Sequence, residues 1–277
     1  MSSTNLNEEF ASEVVKPELE IDLGRAALLL ATLEYPKLDI SSYLKRLDQI
    51  ASTIKSRLDS DDTRIVASVI NRHLFEELEF RGNRSSYYDP KNSFLNEVLE
   101  RRIGIPITLS VLYIEVALRV GLTVQGVGMP GHFLVKFDSA DGSVIIDPFN
   151  SGRQLSVADC EQILAGVYGE GTKLQPEHLR AVAKREILTR MLVNLKNIYV
   201  GSDDPNRAIA VIEKLLVINP SSMVDIRDRG LINFKIGKYS AAIRDFELVL
   251  EKGSSGAEAE IVKKYLGQSR AQLAKLN

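Results

Sequence analysis

The chain has 277 residues, 44% of them hydrophobic and 26% charged, the composition of a globular protein long enough for two ordinary domains. Its formal charge of -2 gives no general attraction to nucleic acid or to an anionic membrane, so neither is expected as a partner. A single cysteine, Cys160, excludes an internal disulfide and any cysteine-built metal centre; this suits a reducing compartment, with the cytoplasm as the expected location.

Residues 1–20 are polar and acidic and lack the basic-then-apolar order of a signal peptide, so a flexible acidic tail is expected. The best candidate for a membrane span, 105–129, is interrupted by Glu115 and Arg119 and falls short of the roughly 18 to 20 apolar residues required. From Ile21 to Phe80 the period is helical. Leu23, Ala26, Ala27 and Leu30 share a face, and Glu34-Tyr35-Pro36 ends that helix. Ser41 or Ser42 can cap a second helix with a stripe of Leu44, Leu47, Ile50, Ala51 and Ile54. Asp59 to Asp62 supply a turn and a cap for a third, carrying Ile65, Val69, Leu74 and Leu78.

Residues 81–90 are dense in turn formers and read as an ordered loop containing Tyr87 and Tyr88. Asn92 or Ser93 then caps a short helix through Leu95, Val98 and Leu99, ended by Gly104. Pro106 suits the first turn of the next helix, where a missing N–H costs nothing, and Gly121 closes it. Residues 122–127 and 132–137 are strand-like, and Asp141-Gly142 signals a hairpin into Val144, Ile145 and Ile146. An antiparallel sheet packed on the Pro106 helix makes an α+β core.

Helix resumes after Ser156, and from Lys184 onward it carries a repeat. Ala208 and Ala242, Ile212 and Phe246, Leu216 and Leu250, and Val200 and Phe234 are each 34 residues apart, the tetratricopeptide period. Gly230 and the turn Lys235-Ile236-Gly237-Lys238-Tyr239 add the motif's local signature. The expected domains are therefore a tail at 1–20, a core domain at 21–183 with a helical part at 21–80, and an all-α repeat domain at 184–277.

His132 and Asp147 stand where two adjacent strands could bring imidazole and carboxylate together, which serves base catalysis or merely satisfies a turn. Thr108 and Ser110 are the hydroxyls nearest the start of the Pro106 helix, where dipole and amides favour a nucleophile. Arg101 and Arg102 could bind an anionic group or merely favour a helix C-terminus; with Asn92, Asn96, Pro106, Thr108 and Ser110 they could line a ligand cleft. Cys160 falls on an apolar helix face and reads as structural. His73 and His178 stand alone, so no metal is expected. Gly126 to Gly131 matches GxGxxG, yet a strand follows and Pro130 removes an amide; it reads as a turn aiming His132, and no cofactor is expected.

Arg81-Gly82-Asn83, Tyr87 to Ser93, Leu95-Asn96, Arg101-Arg102, Gly104 to Ser110, Pro130 to Leu134 and Asp147-Pro148-Phe149 together resemble the SirB family of bacterial proteins, a transglutaminase-like core followed by tetratricopeptide repeats. The resemblance covers residues 21–277 and implies a papain-like fold and a cytoplasmic protein. His132 and Asp147 match the histidine and aspartate of the superfamily triad, but the cysteine position falls on Pro106, which cannot act as nucleophile. The expectation is a non-catalytic, ligand- or peptide-binding protein whose core cleft holds a small ligand or peptide and whose repeat groove takes a protein partner. The alternative is an amide hydrolase or acyl transferase with Ser110 or Thr108 as nucleophile, His132 as base and Asp147 as orienter. A third reading leaves the core as a scaffold for the repeats.

Overall fold

A computed structural model describes residues 3–140, 142–252 and 256–276. The chain divides into two compact units, Met1–Met191 and Leu192–Asn277. The division falls inside the helix that starts at Lys184, rather than at its first residue.

In the first unit, helices α1 (Ser3–Val14), α2 (Leu23–Ala31), α3 (Ile40–Lys55) and α4 (Thr63–Asn71) precede the sheet. The first corrects the expected flexible tail. Leu6, Phe10 and Val14 recur at helical spacing and are buried. The acidic residues are used as well: Glu9 pairs with Arg25 at 2.6 Å and Glu13 accepts from the Asp22 amide at 2.8 Å. Helix α2 is apolar nearly all round and buried accordingly. Asp39, not Ser41 or Ser42, caps α3, because it precedes the first helical residue, from where its carboxylate accepts from the Ser42 amide, whereas both serines lie inside the helix. Asp62 caps α4, whose buried face is Val66, Ala67 and Ile70; Ile65, expected inside, is exposed.

The sheet side begins with an unexpected parallel pair, β1 (Arg81–Gly82) against β2 (Ile103–Gly104). Between them lies α5 (Leu95–Arg101). It has no side-chain cap from Asn92 or Ser93, and it ends at Arg102 in the left-handed region, φ +58°, rather than at Gly104. Helix α6 (Pro106–Val120) follows, with Pro106 in its first turn and Gly121 closing it at φ +105°. Every residue from Pro106 to Ala117 is buried, so α6 is the core helix of the unit.

Strands β3 (Gln125–Val127), β4 (Leu134–Ser139), β5 (Gly142–Asp147), β6 (Arg153–Leu155) and β7 (Ala181–Val182) form one antiparallel sheet in the order β6-β5-β4-β3-β7. The two edge strands are too short to carry a period and were not expected. Ser139 pairs with Gly142 across the β4–β5 hairpin; Asp141, part of the hairpin signal, lies outside the described residues. Helix α7 (Val157–Tyr168) covers Val127, Leu134 and Ile145 with Cys160 and Leu164. Burial pushes the Cys160 thiol up to about 11, so it is an inert packing group. The α+β class is as the sequence predicts.

Helix α8 (Lys184–Gly201) leads into α9 (Pro205–Ile218), α10 (Met223–Lys235), α11 (Tyr239–Glu251) and α12 (Gly256–Leu276). Ala208 and Ala242 are fully buried, as are Ile212 and Phe246, which is what equivalent repeat positions require. Val200 and Phe234 are not equivalent: Val200 is exposed, whereas Phe234 packs edge-on against Tyr239 and Tyr265.

Candidate functional site

The start of α6 fixes one wall. Thr108 Oγ1 accepts from the Ile105 amide at 3.2 Å and donates to the Asn92 carbonyl at 2.6 Å, which ties the first turn to the loop before α5. Ser110, two residues further along the helix, donates to the Phe133 carbonyl at 3.3 Å. Both side chains are wholly buried. Each hydroxyl thus donates to a backbone carbonyl, and neither bonds His132 among the described residues.

The sheet supplies the opposite side. Asp147 ends β5, and His132 lies two residues before β4, in the turn closed where its backbone N–H donates to the Met129 carbonyl at 3.1 Å. His132 Nε2 and Asp147 Oδ2 are 2.8 Å apart. The carboxylate also accepts from Asn150 Nδ2 at 2.6 Å and from the amides of Phe149 and Asn150. Burial disfavours ionisation of Asp147, but His132 and Asn150 outweigh it and hold the carboxyl below its ordinary value. An ionised carboxylate only accepts, so Nε2 carries the proton. Nδ1 has no hydrogen-bond partner among the described residues, and the imidazole is 11% exposed against 1% for Asp147. Such a ring can accept a hydrogen bond or a proton at Nδ1 while the carboxylate behind it supports the charge.

Around it stand rings and cations. Phe149 meets His132 edge-on at 5.9 Å and Tyr87 at 6.3 Å, and Tyr88 extends the row from Tyr87 at 5.4 Å. Arg84 lies over Phe149 at 5.3 Å and bonds Asn150 Oδ1. Arg190, from α8, donates to the carbonyls of His132 at 2.7 Å and Met129 at 3.0 Å and lies over the Phe133 ring.

Asn92, expected in the cleft, is instead the organiser of the 83–92 loop. Its Nδ2 donates to the Ser86 and Tyr87 carbonyls and its Oδ1 accepts from Asn83. Asn96 is buried. Arg101 pairs with Asp89 at 3.0 Å and approaches Glu97 at 3.9 Å. Arg102 lines a different surface pocket with Arg46, Gln49, His73 and Phe80. The structure therefore brings His132 and Asp147 together and leaves both of these arginines elsewhere. His73 does not stand alone either: its Nδ1 is 2.8 Å from Glu77. No group of three metal-type side chains occurs among the described residues.

Two sequence profiles match. That of the transglutaminase-like superfamily covers residues 41–193, and that of the tetratricopeptide repeat covers 195–267. A UPF0162 protein of Xylella fastidiosa is 36% identical over 250 residues, 89% of each chain. One of Vibrio cholerae is 31% identical over 193 residues, 69% of this chain and 71% of its own. The chain belongs to the UPF0162 family, a SirB-like family with a transglutaminase-like core and tetratricopeptide repeats. Mouse F-box only protein 21 is 36% identical over 143 residues, 47% of this chain and 21% of its own length.

In this UPF0162 protein, Arg84, Phe149, Asn150 and Arg190 escape the sequence reading as site residues. Asn150 alone left a local signal, since an aspartate followed by proline and, three residues on, by asparagine favours a capped turn in which the two side chains can meet. Arg190 sits in a helix whose period says nothing of a partner some sixty residues earlier. No helix among the described residues is long and apolar enough to cross a membrane.

Proposed function

We propose that this UPF0162 protein is a non-catalytic transglutaminase-like binding protein: the site at His132 and Asp147 holds a ligand or peptide, and the repeat region takes a protein partner in the cytoplasm. One observation carries the reading. A histidine–aspartate pair is kept in working geometry at 2.8 Å, while the helix start that would present a nucleophile carries buried Pro106 and the nearby hydroxyls of Thr108 and Ser110 are committed to carbonyls. A polarised imidazole with a free Nδ1 is useful for binding without any covalent step, because hydrogen bonds to a charged or polarised group are strong and directional. Tetratricopeptide repeats mediate protein–protein interaction in general, and the repeat region is the natural site of recruitment.

The reading is tested by assaying the purified protein on a panel of amide, ester and acyl-transfer substrates beside His132→Ala. No His132-dependent turnover is expected, together with peptide binding that weakens in His132→Ala. Saturable hydrolysis abolished by His132→Ala would overturn it in favour of a hydroxyl-based or water-activating enzyme.

A further inference from the structure

Most arginines of the first unit have a carboxylate: Arg25 pairs with Glu9, Arg57 with Glu77, Arg101 with Asp89, Arg119 with Glu115. Arg84 and Arg190 have none among the described residues, although each is held in place by other contacts. Both converge on one cluster of rings. Arg84 lies over Phe149, which touches both Tyr87 and His132. Arg190 holds the His132 carbonyl, and its charge is felt by Tyr87. Arg190 is also half-buried, and a cation so placed without a counter-ion is unfavourable unless something completes it.

We propose that Arg84 and Arg190 form a carboxylate-recognition site beside the His132–Asp147 pair, so that the ligand of this site is a peptide bearing a carboxylate. The inference rests on the binding reading above and names the ligand class for the same site. Guanidinium groups match carboxylate and phosphate alike through paired N–H donors. Here the donors are partly used: Arg190 Nη2 serves two carbonyls and Arg84 serves Asn150. The buried, ionised Asp147 sits close behind His132 and repels a second negative charge. What remains suits a single negative charge better than a phosphate dianion. The rings of Tyr87 and Phe149 give the rest of the peptide an apolar surface, and His132 Nδ1 can accept from its backbone N–H.

The test uses the full chain and fluorescence anisotropy with labelled peptides. One library is acetylated and amidated with a fixed central Glu, a second replaces that Glu by Gln, and a third is neutral with a free C-terminus. Binding of the Glu library or of the free-terminus library, at least roughly tenfold tighter than the amidated Gln library and weakening with salt, is expected. Whichever of the two binds more tightly identifies a side-chain or a terminal carboxylate as the source. Arg84→Glu, an exposed position where folding is not at stake, should abolish that preference and confer one for a Lys library; Arg190→Lys should weaken carboxylate binding roughly tenfold. Equal binding of all three libraries, an unchanged preference in Arg84→Glu, or a stronger preference for a phosphoserine library overturns the inference. If all three libraries bind equally but depend on His132, the binding reading stands and the carboxylate assignment alone falls; if binding is indifferent to His132→Ala, the binding reading falls too.

Discussion

Nε2 of His132 donates to Oδ2 of Asp147 at 2.8 Å, and the same oxygen accepts from Asn150 at 2.6 Å, so the carboxylate is gripped from two side chains at once. This has a measurable consequence in acid. Burial alone would raise the Asp147 carboxyl; its partners lower it below the ordinary value, whereas the unfolded chain titrates near about 3.9. Between those two values the unfolded state holds a proton that the native state lacks. Stability from this group is therefore complete above the unfolded value and is lost as pH falls through the folded one. Urea unfolding across that acid window should show a shallower loss in Asp147→Asn than in the wild type. Identical pH slopes would remove this carboxylate from the acid response.

The hydroxyl of Thr108 is structural. Thr108→Val keeps the shape but leaves the Asn92 carbonyl and the Ile105 amide without their buried partner, which costs about 1–3 kcal/mol. Thr108→Ser keeps the hydroxyl and should recover most of that loss. The urea midpoints of the three proteins decide it; a Val variant as stable as the wild type would mean the hydroxyl does not hold the α6 start to the loop.

The sequence made the α+β class, the Pro106-to-Gly121 helix and the repeat helices legible because each is declared locally, by a long apolar period, a proline at a helix start or a glycine at its end. It also named His132 and Asp147, which sit beside turn signals. What it missed is non-local. Strand β7 is two residues long and pairs with β3 from more than fifty positions away. Arg84, Phe149 and Arg190 become site residues only through loop and helix packing. The reverse errors share that cause: Arg101, Arg102 and Asn92 are close to Pro106 in sequence, but Arg101 and Asn92 found their partners in the 89–97 segment and the 83–92 loop, while left-handed Arg102 turns toward another pocket.

Gly82 is required for the packing of Phe149. A Cβ there would stand 2.5 Å from the Phe149 ring and 2.7 Å from its carbonyl oxygen, and neither can retreat without moving the turn that carries Asn150. Gly82→Ala should cost about 1–3 kcal/mol through overpacking and alter the near-ultraviolet dichroism of the Tyr87–Phe149 cluster. Gly166→Ala is the control. It lies within α7 with nothing near the new methyl, so it should be neutral or stabilise by roughly 0.5–1 kcal/mol. A destabilised Gly166→Ala beside a normal Gly82→Ala would invert the argument.

In the repeat region the corresponding contact joins α10 to α11. A Cβ on Gly230 would approach Phe246 Cε1 to 2.8 Å and Cδ1 to 3.0 Å, and Phe246 is fully buried at the centre of that unit's core with Ile226, Val249 and Val262. Gly230→Ala should therefore destabilise by about 1–3 kcal/mol, even though alanine is the better helix former. If the clash is the cause, shrinking the opposing ring must relieve it. Phe246→Leu alone loses packing, but in Gly230→Ala/Phe246→Leu the two losses should sum to less than their parts, with a favourable coupling of about 0.5–3 kcal/mol for residues in contact. Strict additivity in thermal unfolding of the four proteins would show that the alanine acts elsewhere, and that glycine at this repeat position is not there to admit the ring.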